Sequence, residues 1–292
     1  MFQNLVWQKD RMLLNGLVFR LQHYKNDDWE MGPDHFLFYK TKPLIDQYAR
    51  FMSLKPNFSA RNILELGVFD GGSVAFWFEI FRPSKLVGVD ITKGKDSEYF
   101  QRYVAANDLN ENIKIYWGTD QSDAKRLRDI ANSDFSGSLD LVFDDASHAY
   151  EPTKSSFETL FPFLRPGGLY IIEDWAWGHW EEFHGPASPF AKATEPTKLI
   201  FELVEATGSA ISQAAGNSTV LLPSLSIFQG FAVIERGAVD LPKGGEFKLE
   251  DYICRRSKAS AGHNFRTDVG AWFSRKYLGS RLARVVPTNW KL

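Results

Sequence analysis

Two short apolar runs joined by one segment of helical period constrain this chain of 292 residues more than any other feature. The first run, Leu139-Asp140-Leu141-Val142-Phe143, ends in Asp144-Asp145-Ala146-Ser147-His148, and the second, Leu169-Tyr170-Ile171-Ile172, ends in Glu173-Asp174-Trp175. Both read as buried strands. Between them, residues 151–164 carry Phe157, Leu160, Phe161 and Leu164 at helical spacing and stop at Arg165-Pro166-Gly167-Gly168, a helix terminator followed by a turn. A strand, a helix and a strand of these lengths make a right-handed crossover, so the strands run parallel and are commonly neighbours, about 4.8 Å apart. Asp145 and the Glu173-Asp174 pair then converge at the carboxyl edge of the sheet, where open α/β sheets bind ligands.

Like charges gathered at one edge raise each other's pKa unless a cation compensates them, and an all-oxygen set suits a hard ion such as Mg²⁺. Asp145, Glu173 and Asp174 are therefore candidate metal ligands, with His148 three residues beyond the first. Helix capping or pairing with arginine accounts for any one of these carboxylates more easily than for all three.

Upstream, Asn62-Ile63-Leu64-Glu65-Leu66-Gly67 predicts a strand that runs through Gly71-Gly72-Ser73 into a helix ending near Phe81. Glycines there let the backbone approach a ligand closely. The next strand, Lys85 to Val89, ends in Asp90, whose carboxylate suits ribose hydroxyls. A third, Ile113 to Trp117, leads to Asp120 and Gln121, polar groups that suit an adenine edge. A nicotinamide-binding oxidoreductase shares this logic, but its G-x-G-x-x-G turn faces a pyrophosphate. Here the pattern is Glu65-x-Gly67-x-x-x-Gly71-Gly72, and a carboxylate before the first glycine suits a cationic amino-acid moiety. That favours S-adenosylmethionine over NAD.

The charge balance, 34 basic against 36 acidic residues, gives no reason to expect nucleic acid as a partner. One cysteine, Cys254, excludes an internal disulfide and a thiolate zinc site and suits a reducing cytoplasm. No signal pattern opens the chain and no apolar run reaches the roughly 20 residues of a membrane helix, so a cytoplasmic location is expected. Residues 1–58 read as a helical accessory or lid segment: an aromatic-rich stretch from Phe2 to Tyr24, then a helix from Lys42 to Leu54 bearing Leu44, Ile45, Tyr48 and Met52, closed by a turn at Lys55-Pro56-Asn57.

Residues 65–175 resemble the class I methyltransferases, and within them the metal-dependent macrocin and mycinamicin sugar O-methyltransferases, with cephalosporin hydroxylase-like proteins as relatives. The residues that carry the resemblance are Asp144-Asp145-Ala146-Ser147-His148 and Arg165-Pro166-Gly167-Gly168-Leu169-Tyr170-Ile171-Ile172-Glu173-Asp174. It implies a Rossmann-like α/β fold with a seven-stranded, mostly parallel sheet in the order 3-2-1-4-5-7-6, flanked by helices. It also implies Mg²⁺ at Asp145, Glu173 and Asp174 and His148 as general base; the strand ends and glycine turn offer Glu65, Gly67, Gly71, Gly72, Ser73, Asp90, Asp120, Gln121 and Asp144 as candidates to bind S-adenosylmethionine.

The methyltransferase core is expected over residues 59–237. A helix from Glu195 to Thr207, a strand near Ser218 to Leu222 and another from Ser226 to Arg236 fit an antiparallel ending to its sheet. Trp175, Trp177, His179 and Trp180 crowd a loop at the active edge and suggest a platform for a sugar ring, with His179 and His184 as rival bases or metal ligands. Residues 238–292 form a basic extension: from Arg255 onward nine basic residues face one acid, Asp268. That stretch is either a patch for an anionic substrate, membrane surface or partner, or a helix packed through Trp272, Phe273, Tyr277 and Leu278.

The expected function is Mg²⁺-dependent methyl transfer from S-adenosylmethionine to a sugar hydroxyl of a glycosylated natural product or a bacterial oligosaccharide. A catechol-like phenol as acceptor, a non-catalytic S-adenosylmethionine-binding partner protein, and an oxidoreductase or hydroxylase are the competing readings. The partner is then a small-molecule or oligosaccharide acceptor, with no nucleic acid and no transmembrane segment, and a homo-oligomer is left open.

Overall fold

A computed structural model describes residues 2–23, 32–94, 97–188, 190–209, 220–243 and 246–255. Met1–Ile253 form one compact unit. The basic C-terminal stretch lies almost entirely outside the described residues.

The N-terminal segment is not purely helical. It holds a four-stranded sheet, β1 (Leu5–Trp7), β2 (Arg11–Leu14), β3 (Leu17–Leu21) and β4 (Phe36–Phe38), followed by α1 (Lys42–Ser53). The strands were legible: Asn15-Gly16 joins β2 to β3 with φ of 49° and 87°, the left-handed pair that a two-residue hairpin needs. Aromatic composition alone carries no period, so the stretch reads as unstructured unless that dipeptide is used. Helix α1 is capped by the Thr41 hydroxyl, and Ile45, Tyr48 and Met52 are on its buried face as expected.

The main sheet contains β5 (Asn62–Leu66), β6 (Lys85–Val89), β7 (Ile113–Tyr116), β8 (Leu139–Asp144), β9 (Leu164–Glu173), β10 (Leu225–Ile227) and β11 (Phe231–Glu235). Its order is β10-β11-β9-β8-β5-β6-β7. Counted from β5 as the first strand, this is the expected 3-2-1-4-5-7-6. Every pair is parallel except β10 with β11 and β11 with β9. Helices α2 (Gly72–Phe81) and α3 (Glu98–Ala106) cover one face with the N-terminal sheet; α4 (Ala124–Phe135), α5 (Tyr150–Leu160) and α6 (Thr197–Gly208) cover the other.

Alternation along the strands divides the core into two layers. Leu141, Phe143, Leu169, Ile171, Phe231 and Val233 pack toward α1 and α2, whereas Val142, Tyr170, Ile172, Ala232 and Ile234 pack toward α5 and α6. Two boundaries differ from expectation. The strand placed near 218–222 is absent from the described residues 220–222; the antiparallel ending is instead a hairpin, with Phe228 N donating to Phe231 O at 2.8 Å. Leu221 and Leu222 are buried by packing without joining the sheet. Strand β9 also starts earlier, at Leu164, because Arg165-Pro166-Gly167-Gly168 is absorbed into a register shift opposite Leu139 and Leu141.

Candidate active site at the carboxyl edge of the sheet

The loops after β5 and β8 meet at one glycine. Gly67 has φ of +85°, and a Cβ there would lie 2.1 Å from the Asp145 carbonyl oxygen. Only glycine lets the Asp145 backbone come this close, while Asp145 N donates to Leu66 O at 2.9 Å. Asp174 follows β9 and is fixed by its N–H to Gly230 O at 2.8 Å. His148 and Asp174 both adopt φ of 50°, a left-handed conformation that costs a side-chain-bearing residue energy and aims both groups at the same space.

Asp145, His148 and Asp174 each offer one ligand atom, and these atoms lie within 4.8 Å of one another. His148 Nε2 is 3.9 Å from Asp145 Oδ1, while Nδ1 is buried without a hydrogen-bond partner. Burial raises the Asp174 pKa and the Asp145 charge adds to it, with His148 opposing. A crowded, half-buried set of carboxylates with one imidazole fits a divalent cation.

Glu173 ends β9 at the same edge, as expected, and lines the cleft. Its Oε1 accepts from Tyr48 Oη at 2.8 Å and its Oε2 from Lys40 Nζ at 2.6 Å. Lys40, also buried, donates to Asp145 Oδ2 at 2.7 Å. Burial, then the charge of Asp145, raises Glu173 to about 7, and Lys40 offsets this only in part. Glu65 lies beneath the same group, fully buried and pushed up to about 8 by burial, with Lys40 and Ser73 opposing. Lys40 itself is held above its ordinary pKa: burial acts to lower it, and Asp145, Glu173 and Glu65 overcome burial. Sequence reading missed Lys40, because an isolated lysine before a helix carries no signal. It found Tyr48 only as a buried helix position.

Asp145, His148, Glu173 and Asp174 line a cleft of about 760 Å³ together with Gly67, Ser73 and Asp90. The Asp90 carboxylate holds the glycine turn through Val68 N and Phe69 N, at 2.8 and 2.9 Å, and accepts from Thr92 N. Six residues expected at the cofactor are not among those that line the cleft. Gln121 Nε2 donates to Asp144 Oδ1 at 2.6 Å, and Asp144 also accepts from Ser156 and Tyr170, so this pair ties β8 to α5 on the other face. Burial raises Asp144 to about 6, against those hydrogen bonds. Asp120 turns to Ser122. Glu65, Gly71 and Gly72 lie behind the wall rather than in it. A Cβ at Gly71 would meet the Phe100 ring at 2.6 Å, so this glycine is a packing requirement.

The aromatic loop is divided. Trp177 and Trp180 line the cleft with Phe183 and Phe190, and Trp177 stacks on Phe190 at 4.5 Å while its Nε1 donates to His148 O at 2.6 Å. Trp175 donates to Phe228 O and His179 meets the Thr197 hydroxyl, both outside the cleft. His184 contacts Gly178 O and is not among the residues that line the cleft.

An S-adenosylmethionine-type strand order, a glycine turn at β5 and acidic strand ends at β8 and β9 define a class I methyltransferase domain, and residues 64–175 match a family described as a methyltransferase domain. Over this stretch the chain is similar to macrocin and mycinamicin O-methyltransferases. It is 38% identical over 134 residues to the 8-demethyl-8-alpha-L-rhamnosyl tetracenomycin-C 2'-O-methyltransferase of Streptomyces olivaceus, covering 43% of this chain and 32% of that protein. It is 30% identical over 190 residues to the mycinamicin VI 2''-O-methyltransferase of Micromonospora griseorubida, covering 61% of this chain and 44% of the relative. The chain therefore spans less than half the length of these two relatives. The MycE methyltransferase of the mycinamycin biosynthetic pathway, solved in complex with Mg and SAH, is 25% identical with a TM-score of 0.51, over 80% of this chain and 57% of that one. Among the described residues no helix is long and apolar enough to cross a membrane.

Proposed function

We propose that this protein is a divalent-metal-dependent O-methyltransferase that moves the methyl group of S-adenosylmethionine to a sugar hydroxyl of a glycosylated natural product or a bacterial oligosaccharide. The observation that carries the reading is the convergence of Asp145, His148 and Asp174 in the cleft that also takes in the glycine turn and the Asp90 strand end.

Asp145, Glu173 and Asp174 would hold the ion, whose chemistry when bound is Lewis-acid polarisation of an acceptor oxygen. S-adenosylmethionine supplies an electrophilic sulfonium methyl. The turn from Gly67 to Ser73, stapled by Asp90, shapes the wall against which the cofactor would lie. His148 lines the cleft and takes the hydroxyl proton as general base. The backbone hydrogen bond from Trp177 to the His148 carbonyl fixes the turn that aims the ring. Trp177, Trp180 and Phe190 offer flat apolar surface to the C–H face of a sugar and exclude water from the transfer.

The relatives named above are sugar O-methyltransferases, which supports a sugar acceptor over a catechol. The deciding experiment is binding of S-adenosylhomocysteine by calorimetry with Mg²⁺ and with EDTA, followed by mass spectrometry of products from a panel of glycosides and catechols. Binding that survives EDTA, with a 14 Da gain of about one methyl on a glycoside only when metal is present, is the expected result. Cofactor binding with no product from any acceptor would point instead to a non-catalytic partner protein.

A further inference from the structure

The glycine turn is held by a second carboxylate besides Asp90. Asp70 is 2% exposed and gives both oxygens to backbone: Oδ1 accepts from Gly72 N, at the start of α2, and Oδ2 from Leu37 N, each at 2.9 Å. Leu37 belongs to β4, the end strand of the N-terminal sheet, which pairs with β3 and lies outside the matched methyltransferase stretch. A Cβ at Gly72 would lie 2.7 Å from Leu37 O and 3.1 Å from Phe36 Cβ, so this glycine admits the β4 backbone rather than a ligand. Tyr39, just beyond β4, sets its ring edge-on to Phe69 at 5.6 Å, and Phe69 sits in the turn with φ of 56°. The turn is thus held from two directions, by Asp90 at Val68 N and Phe69 N and by Asp70 against β4.

We propose that Asp70 is a positioning residue for S-adenosylmethionine, through which β4 sets the affinity of the glycine turn for its cofactor. The proposal concerns neither the acceptor nor the metal and goes beyond the function proposed above. A turn that carries Gly67, Gly71 and Gly72 has unusual backbone freedom, and a ligand that had to order it would bind more weakly. Asp70 shifts that ordering to the folding of the N-terminal sheet, because its two oxygens fix the turn and the strand to one side chain. Linkage then runs both ways: if docked β4 favours the cofactor, bound cofactor favours docked β4 to the same degree.

The test pairs calorimetry with amide hydrogen exchange on the full chain, with S-adenosylhomocysteine as the probe. In the unaltered protein, saturating probe is expected to slow exchange across residues 36–39 by about 10-fold and to leave α6 within about 3-fold, which separates local docking from overall stabilisation. Asp70→Asn, nearly isosteric but with one acceptor oxygen for two donors, is expected to bind the probe about 10-fold more weakly and to lose the protection at 36–39. A side chain that only capped α2 would give no ligand-dependent protection on β4. Exchange at 36–39 that the probe leaves unchanged, or Asp70→Asn binding as tightly as the unaltered protein, would overturn the proposal while leaving cofactor binding standing. If circular dichroism shows Asp70→Asn unfolded, exchange in the unaltered protein decides. No binding of S-adenosylhomocysteine by the unaltered protein would overturn both this proposal and the methyl-transfer reading.

Discussion

The Tyr48 hydroxyl, on the first helix, donates at 2.8 Å to Glu173 at the end of a strand 125 residues later in the chain. The contact is fully buried, so its loss leaves a carboxylate oxygen without its donor. Tyr48→Phe keeps the ring stacked on Phe231 and removes only that donor. The expected cost is about 1–3 kcal/mol in a urea titration, read as a lower midpoint at unchanged slope. A midpoint equal to that of the unaltered protein would show that the hydrogen bond contributes nothing net.

Gly67 and Gly118 separate two effects that glycine substitutions usually mix. Both have positive φ, 85° and 64°, but a Cβ at Gly67 would meet Asp145 O at 2.1 Å, and one at Gly118 would meet nothing within 4 Å. Gly118→Ala should cost about 1 kcal/mol, the backbone penalty alone. Gly67→Ala should cost more than about 2 kcal/mol and also abolish S-adenosylhomocysteine binding, since Asp145 and the turn must move apart. Equal losses in the two variants would show that the close approach is unimportant.

Three histidines follow one another near the active edge, and geometry ranks them. His148→Ala is expected to lower methyl transfer by about 10²–10⁴-fold, with cofactor binding retained. His179→Ala and His184→Ala should remain within about 3-fold, because their rings engage Thr197 and Gly178 O outside the cleft. Full turnover by His148→Ala would remove it as the base.

Trp177 and Trp175 are two residues apart with opposite surroundings. Trp177→Ala should raise KM for a glycoside by about 10-fold, since the ring lines the cleft and is worth about 1–1.5 kcal/mol against a sugar face. Trp175→Ala should instead lower thermal stability and leave KM almost unchanged, because its indole packs in the second core layer and donates to Phe228 O.

Lys55 and Glu235 join the end of the first helix to the last strand at 2.8 Å. Burial acts to raise Glu235, but the Lys55 ammonium and the Ser224 hydroxyl hold it below its ordinary value. A carboxylate lowered in the folded state adds stability above its unfolded pKa of about 4.3, and that stability is lost as pH falls through the lower folded value. At one-quarter exposure the pair is worth no more than about 1 kcal/mol. Urea titrations at pH 7 and pH 3 should therefore show Glu235→Gln destabilised at the first and equal to the unaltered protein at the second.

The fold and its site were legible to different depths. That β8 and β9 run parallel as neighbours followed from one crossover unit, because period and turn chemistry are local, whereas the full strand order followed from the resemblance to the class I methyltransferases. The N-terminal sheet was missed although Asn15-Gly16 announced it. Asp144 and Gln121 show a harder limit: cofactor contacts are expected of both, yet the pleat of β8 turns Asp144 toward α5, where Gln121, from the loop after β7, meets it. One residue of register separates Asp144 from Asp145 and places them on opposite faces. Glu173 was correctly placed at the edge, but its partners are Lys40 and Tyr48, more than a hundred residues away, and no local pattern encodes such a pairing.

That dependence of β9 on Lys40 has an evolutionary consequence. The leading segment cannot be traded freely between related enzymes as an interchangeable cap that changes only which acceptor is admitted. Any graft would have to bring its own buried cation to the same spot, or the recipient would carry an unbalanced charge at its centre. Diversification of this chain's front end is thereby tethered to the electrostatics of a strand it does not belong to.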